Sequence, residues 1–295
     1  MRTQTLKRPE TDLHVVEAGN PDRPAILFLH GFPDSHELWR PHMESLSSDF
    51  HVISFDMRGS GRSTAPTKPH GYRIPRLLDD IDQVITLTRG PRGKVHLVGH
   101  DWGSMIGWSF VSDPAYSRRV TSWTSMAGPH LGVARRWALD NLRPFAPQRN
   151  QALEQILHAW YMLALNIPGT GRAAFSLAGT PIYKVALPLG GIPRNHPYLR
   201  RSRRDIASLT RHSFRLYEQN VLTPPEPPAR DSIRVPSQLV ILEQDIYLRP
   251  AVCEAMTPYC QDLLRVRLPA NHWAPVSHPD LITGTVRSFV STFGS

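Results

Sequence analysis

Val95-His96-Leu97-Val98-Gly99-His100-Asp101-Trp102-Gly103-Ser104 decides how this chain is read. An apolar, β-branched run ends in Gly-His-Asp-Trp-Gly, and a helix-like segment, Met105 to Val111, follows at once. That layout is a strand turning sharply into a helix, with one side chain lifted clear of the sheet. Backbone at the apex of such a turn is strained, so its flanks must be small, and Gly99 and Gly103 meet that need. The apex residue is Asp101. A serine there would need a base to take its proton and would suit acyl carbons. A carboxylate is already anionic at neutral pH and can displace a leaving group from an alkyl carbon, leaving an ester on the protein. The expected chemistry is hydrolysis by a protein that alkylates itself, with epoxides or alkyl halides as electrophiles. Asp and Gly also occur in ordinary strand-end turns, so the rest of the chain must supply the remaining parts.

Outward from this stretch, buried-strand signals alternate with helical ones. Asp12 to Gly19 reads as an early strand, and Pro24-Ala-Ile-Leu-Phe-Leu-His30 and His51-Val-Ile-Ser-Phe-Asp56 as strands covered on both faces. Arg58-Gly59-Ser60-Gly61-Arg62-Ser63 lacks the ending of a phosphate loop and the spacing of a dinucleotide fingerprint, and reads as a tight connection. Ile74 to Leu87 has helical spacing, and Val120 to Ala127 is the next strand. From His130 to about Arg230 the text is helix-like and closes on the stiff stretch Thr223-Pro-Pro-Glu-Pro-Pro-Ala229. Strands return at Gln238 to Leu242 and Leu264 to Leu268, and a last helix spans Pro279 to Phe293. The fold class is therefore α/β: a mostly parallel, doubly wound sheet with an inserted helical lid. Its expected units are residues 1–129 with 230–295 as the core and 130–229 as the cap.

Composition narrows the function. The net charge is +9 and Arg200-Arg201-Ser202-Arg203-Arg204 is the densest basic cluster. No nucleic-acid motif accompanies it, so it reads as a solvated helix start, with no nucleic-acid partner expected. There is no apolar run long enough to span a bilayer, and Met1 to Glu10 lacks the apolar core of a secretory signal. Cys253 and Cys260 fall in one helix-like stretch, about two turns apart and too far to bond. A reducing, cytoplasmic setting is expected, without metal or cofactor.

An aspartyl ester must be hydrolysed, which needs a base for water and an acid to orient that base. Both belong in loops at the carboxyl ends of later strands. Asp245 follows the strand ending at Leu242, with Glu243 as its competitor. His272, in Ala270-Asn271-His272-Trp273, follows the next strand. With fourteen histidines in the chain a lone His carries little, but this one stands where the strand count requires it. His100 reads as a packing or hydrogen-bonding neighbour of Asp101. The oxyanion donors expected are the amides of Trp102 and Phe32.

With these parts assembled, the chain resembles the α/β-hydrolase superfamily, in particular its epoxide hydrolase and haloalkane dehalogenase branch. His30-Gly31-Phe32-Pro33 is similar to that family's oxyanion motif, Gly99 to Gly103 to its elbow and Asn271-His272-Trp273 to its histidine loop. The resemblance implies that Tyr161, ahead of Pro168-Gly169, and Tyr217, in Leu216-Tyr-Glu-Gln-Asn220, donate to the epoxide oxygen; Glu218 departs from the usual Arg. It also implies that Trp102, Phe32 and Trp160 shape the substrate pocket. Dehalogenases of this branch need paired halide donors. Phe32 stands where one of them carries Asn, leaving Trp102 with Trp160 or Trp137, and Trp102 stands where fluoroacetate-type enzymes carry Arg. The chain is also similar to the hydrolase half of bacterial proteins in which such a domain precedes a short-chain reductase. The leading expectation is an epoxide hydrolase acting on a small apolar epoxide. A haloalkane dehalogenase using the same Asp101-His272-Asp245 set is second, and a non-catalytic binding domain third. A homodimer is compatible with the sequence.

Overall fold

The computed structural model describes residues 1–167 and 169–293. Eight strands form one sheet: β1 (Arg2–Lys7), β2 (Asp12–Ala18), β3 (Ala25–Leu29), β4 (His51–Phe55), β5 (Val95–His100), β6 (Val120–Met126), β7 (Ser237–Leu242) and β8 (Leu263–Leu268). Their order across the sheet is β1-β2-β4-β3-β5-β6-β7-β8. β2 runs antiparallel to both β1 and β4, and all other neighbours are parallel.

The central strands are apolar runs because both of their faces are covered. Leu27, Ile53, Leu97 and Trp123 pack on one side with α2 (Ile74–Arg89) and α3 (Trp102–Ser112). Ile26, Phe28, Val52 and Val98 pack on the other with α1 (Arg40–Leu46) and the last helix, Pro279–Ser291. The two edges differ in kind. β1 and β8 expose charged side chains, which blunts edge pairing. β1 falls where the sequence shows only a polar terminus: one face is exposed, and the other half-buries only Gln4 and Leu6, so a single apolar residue leaves no apolar period to read.

Between β6 and β7 lie the helices Leu131–Asn141, Arg149–His158, Trp160–Ala164, Thr170–Leu189, Arg203–Thr210 and Arg215–Asn220. The longest is bent at Ala178, whose φ of −127° is not helical, with Pro181 and Pro188 inside. Ser202 and Asp205 form a capping box that starts Arg203–Thr210. Arg203 and Arg204 are exposed there, as the sequence suggests, but Arg201 is half-buried with its guanidinium 4.5 Å from the Tyr198 ring centre. One expectation is corrected. Cys253 lies on a short helix, Pro250–Glu254, whereas Cys260 lies in extended chain beside Ile233. The helix ends after Glu254 and Pro258 falls between the two cysteines, so the two buried thiols do not share a helix.

The turn from β5 into α3 is as tight as its sequence implies. Asp101 takes φ 54° and ψ −123°, a region that side chains rarely adopt, and the Ser104 and Met105 amides donate to its carbonyl at 2.9 and 3.0 Å. A methyl group on Gly103 would strike the carbonyls of Leu29, the last residue of β3, and of His30 just after it, backbone that cannot move without disturbing the sheet. Gly103→Ala is expected to destabilise the protein by about 1–3 kcal/mol. The control is Gly284→Ala in the last helix, where a methyl meets nothing within 4 Å and helix propensity favours alanine by about 1 kcal/mol. Urea denaturation of both variants checks the contrast.

Candidate active site

Asp101 stands at the carboxyl end of the central strands, and its carboxylate is buried. The Phe32 amide donates to its Oδ1 at 2.7 Å, and the Trp102 amide, at the start of α3, donates as well. Gly31 makes the first of these contacts possible, because any side chain there would occupy the space of the Asp101 carboxylate. On the open side, His272 Nε2 lies 3.7 Å from Asp101 Oδ2. His272 Nδ1 donates to Asp245 Oδ2 at 2.7 Å. Asp245 Oδ1 is in turn held by the Tyr247 and Leu248 amides at 2.7 and 3.0 Å. Glu243, the competitor for the acid position, turns outward and pairs with Arg267.

Burial sets the electrostatics. It raises the Asp101 carboxyl to about 6, against the opposing pull of His272 and the two amides. Burial alone would lower His272, but Asp245 and Asp101 outweigh it and raise the imidazole above its ordinary value. His100 goes the other way: fully buried and beside another imidazole, it is pushed well down and stays neutral. Its Nε2 donates to the His272 carbonyl at 2.8 Å, so it holds the histidine loop and is not a second base.

Opposite Asp101 a cavity of about 950 Å³ opens beneath the inserted helices. Tyr161 and Tyr217 line it, their ring centres 6.0 Å apart. Burial raises both phenols well above their ordinary value, and the Asp101 charge adds to the rise. Phe32 lines the floor and packs edge-on against Tyr217 at 5.4 Å. Trp160 reaches only the mouth and is 66% exposed. Trp102 is fully buried behind Tyr217, with ring centres 5.0 Å apart, and is not part of the cavity wall. Trp137 donates to Gln148 Oε1 at 2.6 Å, away from the cavity.

Three residues with no predicted role join the site's frame. Asp34, buried three residues after Gly31, accepts from Trp273 Nε1 at 3.0 Å and from Tyr198 Oη at 2.6 Å, tying the histidine loop to the inserted helices. Tyr247 packs against His272, at 5.0 Å between ring centres, and donates to the Ala186 carbonyl of Thr170–Leu189 at 2.9 Å. Gln155, buried on Arg149–His158, donates to the Tyr247 carbonyl at 3.0 Å and accepts from the Arg249 amide at 2.8 Å. The only local signal was Asp34 beside the Gly-Phe-Pro turn; the other two carry none. Among the described residues, His14, His36 and Asp56 bring potential metal-binding atoms within 4.8 Å of one another. His36 there already donates to Asp56 at 2.7 Å and lies 3.2 Å from Glu37; against burial, these carboxylates raise it to about 9, so the group reads as an ion pair.

The profile of the alpha/beta hydrolase fold matches residues 24–279. A protein of Mycobacterium tuberculosis described as "Probable oxidoreductase EphD" is 31% identical over 282 residues, covering 93% of this chain and 47% of that protein. The chain thus spans about half the length of that relative. "Epoxide hydrolase 3" of Mus musculus is 29% identical over 282 residues, covering 90% of this chain and 70% of that protein. Among solved structures, a Bacillus megaterium epoxide hydrolase bound to an inhibitor superposes with a TM-score of 0.78 at 24% identity, over 98% of this chain and 100% of the other. An epoxide hydrolase of Vigna radiata gives 0.72 at 20% identity, over 99% and 98%.

A carboxyl raised by burial costs stability wherever it is charged. Asp101 has the same stability contribution below pH 4, where it is protonated folded and unfolded, and loses it as pH rises through about 6. Asp101→Asn is therefore expected to stabilise the fold at pH 7 by about 1–3 kcal/mol while abolishing activity, with the gain shrinking toward pH 4. Denaturant unfolding at the two pH values checks the sign.

Proposed function

The chain belongs to the alpha/beta hydrolase fold family, and from that premise we propose that it hydrolyses epoxides to vicinal diols through an ester on Asp101. The observation that carries this reading is the pair Tyr161 and Tyr217 lining one cavity with Asp101. An alkoxide leaving an epoxide carbon is strongly basic, and two phenols facing the nucleophile can bind the ring oxygen and protonate it as the bond breaks. The halide-donor pair of a dehalogenase has no counterpart of this kind: Trp102 lies outside the wall and Trp137 is committed to Gln148. Residues 1–129 and 230–295 act as the catalytic core and 130–229 as its cap.

The charges give the order of events. In the resting site Asp101 and Asp245 flank His272 and hold a proton on it. Asp101 Oδ2 attacks an epoxide carbon, the C–O bond breaks, and a tyrosine hydroxyl passes its proton to the departing oxygen. Esterification removes the Asp101 charge. The tyrosines, which that charge had made weaker acids, become stronger ones as the alkoxide develops. His272 loses one of the two anions that held its proton, and that proton restores the tyrosine. Neutral His272, oriented by Asp245, then takes a proton from water as the water attacks the ester carbonyl carbon. The Phe32 and Trp102 amides hold the oxyanion; on collapse the diol oxygen leaves the carbonyl carbon and takes the remaining proton of the added water, which releases the diol, restores the Asp101 carboxylate and leaves His272 protonated as at the start. The nearly all-apolar cavity wall suits an apolar epoxide.

Replacing the base should stall the second half of this cycle. His272→Gln mixed with an epoxide panel is expected to gain the full mass of one epoxide on Asp101, read by intact-protein and peptide mass spectrometry. An adduct of alkyl mass with halide released would assign dehalogenation instead, and no adduct in the folded variant would reject the self-alkylating reading. Ester formation is expected to slow below about pH 6, as Asp101 takes up its proton. Tyr161→Phe with Tyr217→Phe is expected to slow it by about 10²–10⁴-fold.

A further inference from the structure

The mouth of the cavity is built from side chains that water does not welcome. Leu157, Trp160, Val185 and Leu189 all line the cavity, yet each is more than half exposed, Leu157 reaching 73%. The exposed apolar surface continues past the mouth along the same helices. Leu163 lies one turn beyond Trp160 on Trp160–Ala164, and Leu177, 87% exposed, stands on Thr170–Leu189 just before its bend, with Val185 and Leu189 one turn apart beyond it. Contiguous exposed apolar surface on a folded domain marks a face that meets something apolar. Charge says what. Residues 130–229 carry thirteen Lys and Arg against five Asp and Glu, so +8 of the chain's +9 falls on the inserted helices. Arg172 and Lys184 are exposed on the very helix that carries Leu177, Val185 and Leu189. An apolar face flanked by cations is the pattern of a surface that lies in the plane of an anionic membrane, side chains in the acyl boundary and basic groups at the headgroups. No helix among the described residues is long and apolar enough to cross a membrane, so contact would be with its surface.

We propose that the cap docks on an anionic lipid surface with the mouth of the catalytic cavity against the lipid, so that its epoxide substrates are apolar molecules drawn from the lipid phase. The substrate half of this statement rests on the epoxide reading above; the docking half does not. An apolar epoxide would then pass from acyl chains into an apolar cavity without crossing water, while the diol, more polar than its parent, partitions away.

Sedimentation of the full chain with phosphatidylcholine vesicles, with and without phosphatidylglycerol, tests docking directly. The wild type is expected to pellet with the anionic vesicles, less so in high salt, and weakly with phosphatidylcholine alone. Leu163→Ser/Leu177→Ser, at two exposed positions outside the cavity wall, is expected to weaken partitioning about tenfold or more. Arg172→Glu/Lys184→Glu should do so to a similar extent. Both variants should hydrolyse water-soluble styrene oxide as the wild type does, and a long-chain alkyl epoxide dissolved in the vesicles more slowly, in step with lost binding. Absence of binding at low salt overturns the proposal, as does binding that survives both variants. A self-association broken by Leu163→Ser/Leu177→Ser, in a protein that ignores vesicles, would assign the face to a second copy. Vesicle binding by a chain that turns over neither epoxide would reject the catalytic reading while leaving docking intact.

Discussion

A carboxylate buried at the floor of an apolar cavity is the condition on which the rest of this structure depends. Taking Asp101 out of water costs free energy, and the protein offsets only part of it with the amides of Phe32 and Trp102 and the imidazole of His272. What is left uncompensated raises its affinity for a proton. The same residue takes a backbone conformation that its side chain disfavours, so the turn into α3 holds steric strain at the atom that carries the electrostatic cost.

Each neighbouring feature answers to that condition. Gly31 is bare because the carboxylate lies against it. His272 is gripped on three sides, by Asp245 at its ring, His100 at its carbonyl and Tyr247 across its face. The charges around it form a chain in which neutralising Asp101 would change the acidity of its partners.

The inserted helices are held to the sheet by few but buried polar contacts. Asp34 reaches Tyr198, Tyr247 reaches Ala186, and Gln155 clasps the loop that carries Asp245. Each ends on a loop beside Asp101, Asp245 or His272, so the position of the inserted helices and the geometry of these three residues are coupled. Between these anchors the longest helix bends at Ala178, and exposed apolar side chains rim the mouth of the cavity.

The sequence by itself determined the sheet, its helical insertion and the position of the reacting groups. Apolar runs covered on both faces, separated by helical spacing, leave parallel pairing as the arrangement that buries them. Parallel pairing sends every strand's carboxyl end to one side, so Asp101, Asp245 and His272 could be sought by counting strands. Tertiary structure alone decided what depends on the direction of a side chain across long separations. It turned Glu243 outward to Arg267 and Asp245 inward to His272, although the two stand two residues apart. It put Trp102 behind the cavity wall instead of in it, dissolved the single helix expected to hold both cysteines, and added β1, where Leu6 alone is apolar and no period shows. Asp34, Tyr247 and Gln155 came to the site by contacts spanning from 61 to 239 residues in sequence. Periodicity reports which face of an element is buried; what that face touches is set only when distant elements pack together.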